Sequence, residues 1–102
     1  MAPLIVVSGP SGVGKTTVVD RLLDLVRFRR AVTATTRDQR ADEVDGINYH
    51  FWTREKFEAA RDAGEMLEWA VVYGRDYYGT PRSEVDPYRK DGIGVVLVID
   101  VQ

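Results

Sequence analysis

Between residues 9 and 16 the chain reads Gly9-Pro10-Ser11-Gly12-Val13-Gly14-Lys15-Thr16, a match to the pattern G-x-x-x-x-G-K-S/T. Glycines at this spacing let the backbone curl until consecutive N–H groups face one cluster of anionic oxygens. Lys15 adds a mobile cation for the outer phosphates of a nucleoside triphosphate, and Thr16 offers a hydroxyl to Mg²⁺. The flanks restrict the fold further. Leu4-Ile5-Val6-Val7 is a short apolar run of the kind that forms a buried parallel strand, predicted over 4–8. After the motif, Val18, Val19, Leu22, Leu23 and Val26 recur with the period of a helix, predicted over 15–27. Strand, glycine loop and helix N-terminus come in the order that turns the positive end of the helix dipole toward a phosphate. An ordinary glycine-rich turn has no need of that order, so the phosphate-binding reading is preferred.

A length of 102 residues sets one small domain as the starting expectation. Net charge is −2, with 14 basic against 16 acidic residues, which gives no sign of nucleic acid or a membrane surface as partner. The chain has no cysteine, which removes disulfides, thiolate catalysis and Cys-ligated zinc. No apolar stretch approaches a membrane span, and the N-terminus lacks the basic-then-apolar pattern of a secretory signal. These features fit a cytoplasmic, nucleotide-using enzyme.

Beyond the first strand and helix, Ala31-Val32-Thr33-Ala34-Thr35-Thr36 is rich in β-branched residues and predicts a strand. Residues 37–46 are polar and charged, a loop or irregular strand. Ile47-Asn48-Tyr49-His50-Phe51-Trp52 alternates and is aromatic, hence another strand. Thr53 can cap a helix over 54–63, with Phe57, Ala60 and Ala63 on one face and Gly64 as its stop. Residues 66–73 predict a strand, 74–76 a turn and 77–80 a short return strand. A helix is predicted over about 82–91, with Pro87 in its early turns and Gly92 at its end. Residues 93–100 form a nearly continuous apolar run that ends in Asp100, a second buried parallel strand. The chain thus reads as α/β: a parallel core in two parts, residues 1–32 and 81–102, around an inserted, mostly β lobe at 33–80.

Three sets of side chains in the lobe can do chemistry. Arg37 and Arg40 can converge on an anion, since guanidinium groups hold phosphate through paired N–H donors. Tyr49, Tyr77 and Tyr78 bring hydroxyls on strands, although packing is the preferred reading for Tyr77. Glu43 and Glu68 can accept from a base that presents N–H donors. Taken singly, each set is better explained as a solvated loop, a packing residue or a surface charge. His50, the one histidine, reads as a strand residue with no catalytic role. Trp52 and Trp69 read as packing residues.

Together these residues resemble the guanylate kinase family. The resemblance runs through Ser8-Gly9-Pro10-Ser11-Gly12-Val13-Gly14-Lys15, Thr35-Thr36-Arg37 with Arg40 and Glu43, Asp45-Gly46, and Tyr49-His50-Phe51. It continues through Gly64-Glu65-Met66-Leu67-Glu68-Trp69-Ala70, Tyr77-Tyr78-Gly79-Thr80-Pro81 and Ile99-Asp100-Val101-Gln102. It covers nearly the whole chain, in order. It implies a P-loop NTPase-type parallel core, incomplete at the C-terminus, with an inserted nucleotide-monophosphate-binding lobe. The implied reaction moves the γ-phosphoryl of ATP to GMP with Mg²⁺, giving ADP and GDP. Gly9, Ser11, Gly12, Val13, Gly14, Lys15, Thr16 and Thr17 would then bind ATP. Thr33, Arg37, Arg40, Glu43, Tyr49, Glu68, Tyr78 and Thr80 would bind GMP, with Arg37, Arg40, Tyr49 and Tyr78 on its phosphate. Glu68 and Thr80 would read the guanine edge, whose N1–H and amine are adjacent donors. Lys15, Arg37 and Asp100 would be the catalytic residues, and Thr16 would hold Mg²⁺, with Asp100 acting through water.

The chain departs from the family pattern in places. Gln39, Ala41 and Asp42 stand where the loop after Arg37 has prolines and a glycine, which predicts a looser loop. Val98 stands where an acid is usual two residues before Asp100. The turn Gly74-Arg75-Asp76 is slightly long. Family members continue well past the position of Gln102 into a lid with arginines, which can contribute about 10³–10⁵ in rate. Weak or no turnover is therefore expected of this chain alone, and an uncovered sheet edge is expected to favour self-association. A non-catalytic interaction module of the same family and a ribosyl phosphate kinase are the alternatives. The intact Lys15 argues against the first, and the Arg37, Arg40, Tyr49, Tyr78 and Glu68 set argues against the second.

Overall fold

The computed structural model describes residues 2–9 and 28–100, except for the side chains of Gly9 and Asp100. The predicted helix over 15–27 lies outside the described residues, as does the glycine loop from Pro10 onward. In chain order the elements are β1 (Leu4–Gly9), β2 (Phe28–Arg30), β3 (Ala34–Thr35), β4 (His50–Phe51), α1 (Arg54–Asp62), β5 (Met66–Val72), β6 (Asp76–Pro81), a 3-10 turn (Arg82–Glu84), α2 (Asp86–Lys90) and β7 (Gly94–Asp100). They fall into two compact units, Met1–Ala31 with Val85–Gln102, and Val32–Glu84.

In the first unit β7 lies between β1 and β2 and pairs with both in parallel. Its Val95 and Val96 are fully buried, as a parallel strand bonded on both sides requires. The register runs from Leu4 opposite Val95 to Gly9 opposite Asp100. β1 is parallel as expected but, among the described residues, forms an edge of this sheet, and Val6 is 52% exposed. β2 was not expected, because Phe28-Arg29-Arg30 is short and carries two charges. Tertiary fit forms it. The Arg29 guanidinium stacks 4.0 Å over the Tyr88 ring. Phe28 fills the space that the absent side chain of Gly94 leaves, and a Cβ there would collide with its ring.

The single helix predicted over 82–91 is instead a 3-10 turn followed by the short helix α2. Pro87 explains the break. It has no N–H to donate to the carbonyl of Ser83, so an α-helix can only restart with Pro87 in its first turn. Helix α2 ends with Gly92 at φ 83° and the Ile93 N–H on the Tyr88 carbonyl at 2.9 Å. Helix α1 ends alike, with Gly64 at φ 74° and the Glu65 N–H on the Ala60 carbonyl at 2.9 Å. Both are left-handed caps that satisfy a terminal carbonyl.

The second unit is a four-stranded sheet in the order β4-β3-β6-β5, with α1 packed on one face. The strands predicted over 31–36 and 47–52 are shorter, Ala34–Thr35 and His50–Phe51. Side-chain bonding holds 44–48 in a turn: the Val44 N–H donates to Asn48 Oδ1 at 2.8 Å, while the Ile47 and Asn48 N–H groups share the Val44 carbonyl. Thr53 caps α1 by accepting from the Lys56 N–H at 3.1 Å. Phe57 on α1 is fully buried and stacks on Tyr77 with ring centroids 4.8 Å apart. Ala34, Ala60 and Met66 complete that core, with Trp52 against it. Tyr77 is a packing residue whose hydroxyl donates to Glu58 and accepts from Arg61. Trp69 packs edge-on against Tyr77 yet stays 44% exposed, less buried than expected. Glu84 joins the two ends of this unit by accepting from the Val32 N–H at 2.8 Å, and its other oxygen lies 3.0 Å from His50 Nε2.

The β5–β6 pairing carries one irregularity. Met66 lies opposite Pro81, but Glu68 lies opposite Thr80, so β5 holds one extra residue there. Thr80 and Pro81 point to opposite faces. The bulge therefore sends Met66 to the core face and Glu68, two residues on, to the other face. Gly79 allows the strands to meet closely at this point, since a Cβ on it would lie 2.7 Å from the Glu68 carbonyl oxygen and 2.9 Å from Trp69 Cβ. Gly79→Ala is expected to destabilise the lobe by about 1–3 kcal/mol. Urea unfolding checks this, and a variant as stable as the parent would show that the strands separate at no cost.

Candidate functional site

Strand β6 presents Tyr78 and Thr80 on the face away from α1, and β3 delivers Arg37 to the same neighbourhood. The exit of β3 is fixed by Thr35 and Thr36. Thr35 Oγ1 donates to the Tyr77 carbonyl at 2.9 Å, and Thr36 Oγ1 accepts from the Tyr77 N–H at 3.0 Å. Arg37 is then held on every side. Its Nε donates to the Tyr78 hydroxyl at 3.1 Å. Its Nη1 donates to the Asp38 carbonyl at 2.8 Å and to Glu43 Oε1 at 2.9 Å, and its Nη2 to Glu43 Oε2 at 2.8 Å. The guanidinium also lies 5.2 Å from the Tyr49 ring centroid and 5.8 Å from that of Phe51. Tyr49 meets Phe51 and Tyr78 edge-on, at 5.7 and 5.9 Å.

Four of the five guanidinium N–H groups of Arg37 are thus engaged, leaving one on Nη2. Tyr78 accepts from Arg37, so its own O–H remains a donor for a ligand. The bidentate bond from Arg37 is the main cause that lowers the Glu43 carboxyl from 4.5 to about 2, followed by the Arg40 N–H at 2.9 Å. The same pair raises Arg37 above the usual guanidinium range. The loop between them is tied, against the expectation of a looser segment. Gln39 Nε2 donates to the Glu43 carbonyl at 2.7 Å, and the Glu43 N–H returns to the Arg40 carbonyl at 3.1 Å. The guanidinium of Arg40 makes no hydrogen bond or ion pair with a described residue and lines a cavity beside Arg37.

The second pair on this face is Glu68 and Thr80. Thr80 is 2% exposed, and its hydroxyl donates to Glu68 Oε1 at 2.6 Å. Oε2 of Glu68 has no hydrogen-bond partner among the described residues, so it is available to a donor from outside.

The sequence-predicted residues therefore separate into groups. Arg37, Glu43, Tyr49 and Tyr78 form one contact set, and Glu68 with Thr80 another on the same sheet. Glu43 was expected to line a base pocket, but the structure commits its carboxylate to Arg37 and Arg40. Thr33 lies just before β3, and its carbonyl accepts from the His50 N–H at 2.9 Å. No hydrogen bond joins its hydroxyl to the other site residues among those described. Ser11, Gly12, Val13, Gly14, Lys15, Thr16 and Thr17 lie outside the described residues. For Gly9 and Asp100 the backbone is described, and it sets them opposite one another. Phe51 was not foreseen as a site residue, although its position two residues after Tyr49 in the alternating run 47–52 was the signal for it.

A P-loop sequence that leads out of a parallel strand, together with a lobe whose arginine, tyrosine and glutamate side chains share one sheet face, defines an α/β nucleotide-binding protein. Comparison with known proteins is more specific. The guanylate kinase family model matches residues 1–102. The guanylate kinase of Salinibacter ruber is 47% identical over 100 residues, which cover 97% of this chain and 53% of that protein. The guanylate kinase of Streptococcus agalactiae is 52% identical over 101 residues, covering 97% and 48%. The crystal structure of guanylate kinase from Anaplasma phagocytophilum superposes with a TM-score of 0.72 at 34% identity, covering 97% of this chain and 48% of that one. The chain belongs to the guanylate kinase family. It spans about half the length of the curated relatives it matches.

The lowered Glu43 value has a testable consequence. Its stabilising effect is fully present above the unfolded value of 4.5 and is lost as pH falls through about 2. In urea titrations at stepped pH, Glu43→Gln should be less stable than the parent by a constant margin above about pH 5. That margin should shrink between 4.5 and 2. A margin independent of pH would rule out the ionised pair.

Proposed function

We propose that this chain is the part of a guanylate kinase that holds both substrates, in an enzyme that transfers the γ-phosphoryl of ATP to GMP. The observation that carries the acceptor assignment is the Glu68–Thr80 pair on the same sheet face as Arg37, Tyr49 and Tyr78. Guanine presents N1–H and its exocyclic amine side by side, and a carboxylate with one free oxygen can accept from that edge. Adenine presents an acceptor at N1 and would leave the acid unmatched, a strong basis for discrimination. Arg40, the tyrosine hydroxyls and the charge of Arg37 would hold the acceptor phosphate. Thr33 would add a hydroxyl, and Glu43 would act by holding Arg37.

Gly9, Ser11, Gly12, Val13, Gly14, Lys15, Thr16 and Thr17 would cradle ATP. The parallel register that sets Gly9 beside Asp100 fits this, because it places an acid where the phosphate loop leaves the sheet. Mg²⁺, held by Thr16 and through water by Asp100, would neutralise charge on the phosphates when bound. Lys15 and Arg37 would serve the same end with fixed cations. The enzyme would serve purine nucleotide metabolism in the cytoplasm. Among the described residues no helix is long and apolar enough to cross a membrane.

Calorimetric titration with GMP and AMP tests the acceptor assignment. GMP should bind much more tightly than AMP. Glu68→Gln should lose about 1.5–3 kcal/mol of GMP binding, roughly 10- to 150-fold, with little change for AMP. Equal affinity of the parent for the two nucleotides would sink the assignment.

A further inference from the structure

Within Val32–Glu84, a cavity of about 520 Å³ is lined by Thr36, Arg37, Asp38, Arg40, Arg75 and Asp76, with Gln39 beside them. Arg37 and Arg40 make this the place of the acceptor phosphate in the reading above. Arg75 has had no part in that reading. It enters from the turn between β5 and β6. Tyr73 and Gly74 form this turn in the left-handed region, at φ 55° and 63°, and the Arg75 N–H closes on the Val72 carbonyl at 3.2 Å. Arg54, the first residue of α1, donates Nη1 to the Arg75 carbonyl at 2.7 Å and fixes the turn. Asp76 Oδ2 accepts from Arg75 Nε at 3.3 Å, which orients the guanidinium at the cavity.

Two observations point to Arg75. The first is its free donors. Arg37 has one N–H left, so donation to a phosphomonoester falls to groups that folding leaves unbonded, among them the Arg40 guanidinium and the Tyr78 O–H. Nη1 and Nη2 of Arg75 have no hydrogen-bond partner among the described residues, so its outer edge can donate in the bidentate manner that phosphate favours. The second is charge. Without Arg75, the cations Arg37 and Arg40 stand among three carboxylates, Asp38, Glu43 and Asp76. That is a net negative surrounding for a dianion, and the charge of Arg75 brings it to neutrality.

We propose that Arg75 is a further phosphate-binding residue of the acceptor site, donating through Nη1 and Nη2 to the phosphomonoester of the acceptor nucleotide. The proposal rests on the acceptor reading given above. Arg75 is 81% exposed, so its contribution is that of a surface cation and depends on salt.

The test is calorimetric titration of GMP, AMP, guanosine and inorganic phosphate into the parent chain, Arg75→Ala and Arg75→Lys, at low and moderate salt. Arg75→Ala should weaken GMP and inorganic phosphate about 5-fold each and leave guanosine unchanged. Arg75→Lys should recover part of the loss, and the difference should narrow as salt rises. Unchanged affinity for GMP and phosphate in Arg75→Ala overturns the proposal and leaves the acceptor reading standing. An equal loss for guanosine gives Arg75 a structural role and overturns it too. Phosphate binding that depends on Arg75, with no preference for GMP over AMP, overturns the acceptor reading alone. A parent chain that binds neither GMP nor phosphate overturns both.

Discussion

One extra residue in β5, between Met66 and Glu68, decides which side chains of the lobe become core and which become site. In a regular strand these two residues would share a face. Either Met66 would leave the core beside Phe57 and Tyr77, or Glu68 would be buried in it without a donor. The second outcome carries the high cost of an unpaired buried charge. The bulge avoids both, and Gly79 makes it sterically possible by letting the Glu68 carbonyl approach β6. Strand β6 then divides cleanly, with Tyr77 facing the helix and Tyr78 and Thr80 facing the opposite side. A backbone irregularity two strands away from Arg37 thus determines whether Glu68 can share a sheet face with it.

Much of this lobe was legible in the sequence where the signal was local. Helix α1 announced itself through Thr53, the Phe57 and Ala60 face, and Gly64. The resemblance named Arg37, Tyr49, Tyr78, Glu68 and Thr80, and the structure gathers them in two contact sets, Arg37 with Tyr49 and Tyr78, and Glu68 with Thr80. What escaped depended on partners distant in sequence. Strand β2 exists because Phe28 finds Gly94 and Arg29 finds Tyr88, and its own composition argues against a strand. The bulge is a property of β5 and β6 together and leaves no mark in either alone. Glu43 was read as facing a base because a carboxylate can accept from N–H donors of any kind. Only the fold of the 38–42 loop shows that its two oxygens meet the two terminal nitrogens of Arg37. The break in the helix over 82–91 was legible in Pro87, but it was discounted as an early-turn proline of a helix that in fact starts later.

The pairing of Arg37 with Glu43 raises a physical question, since a carboxylate beside a cation proposed to bind phosphate weakens the local field. The compensation lies in order. An arginine side chain carries about 2 kcal/mol of rotamer entropy that is lost when it is immobilised on a ligand. In this lobe Tyr78, Asp38 and Glu43 immobilise Arg37 when the protein folds, so a ligand meets a guanidinium already in place. The price is donor capacity, because the bonds that fix Arg37 occupy nearly all of its N–H groups. Positioning and donation therefore fall to different residues. Arg37 supplies a fixed charge and the orientation of Tyr78. On the reading proposed above, donation to an anion would pass to groups that folding leaves unbonded: the Tyr78 hydroxyl, the guanidinium of Arg40 and the outer edge of Arg75. A substitution at Glu43 should on this view act through the order of Arg37, whereas a substitution at Arg40 or Arg75 should act on the anion directly.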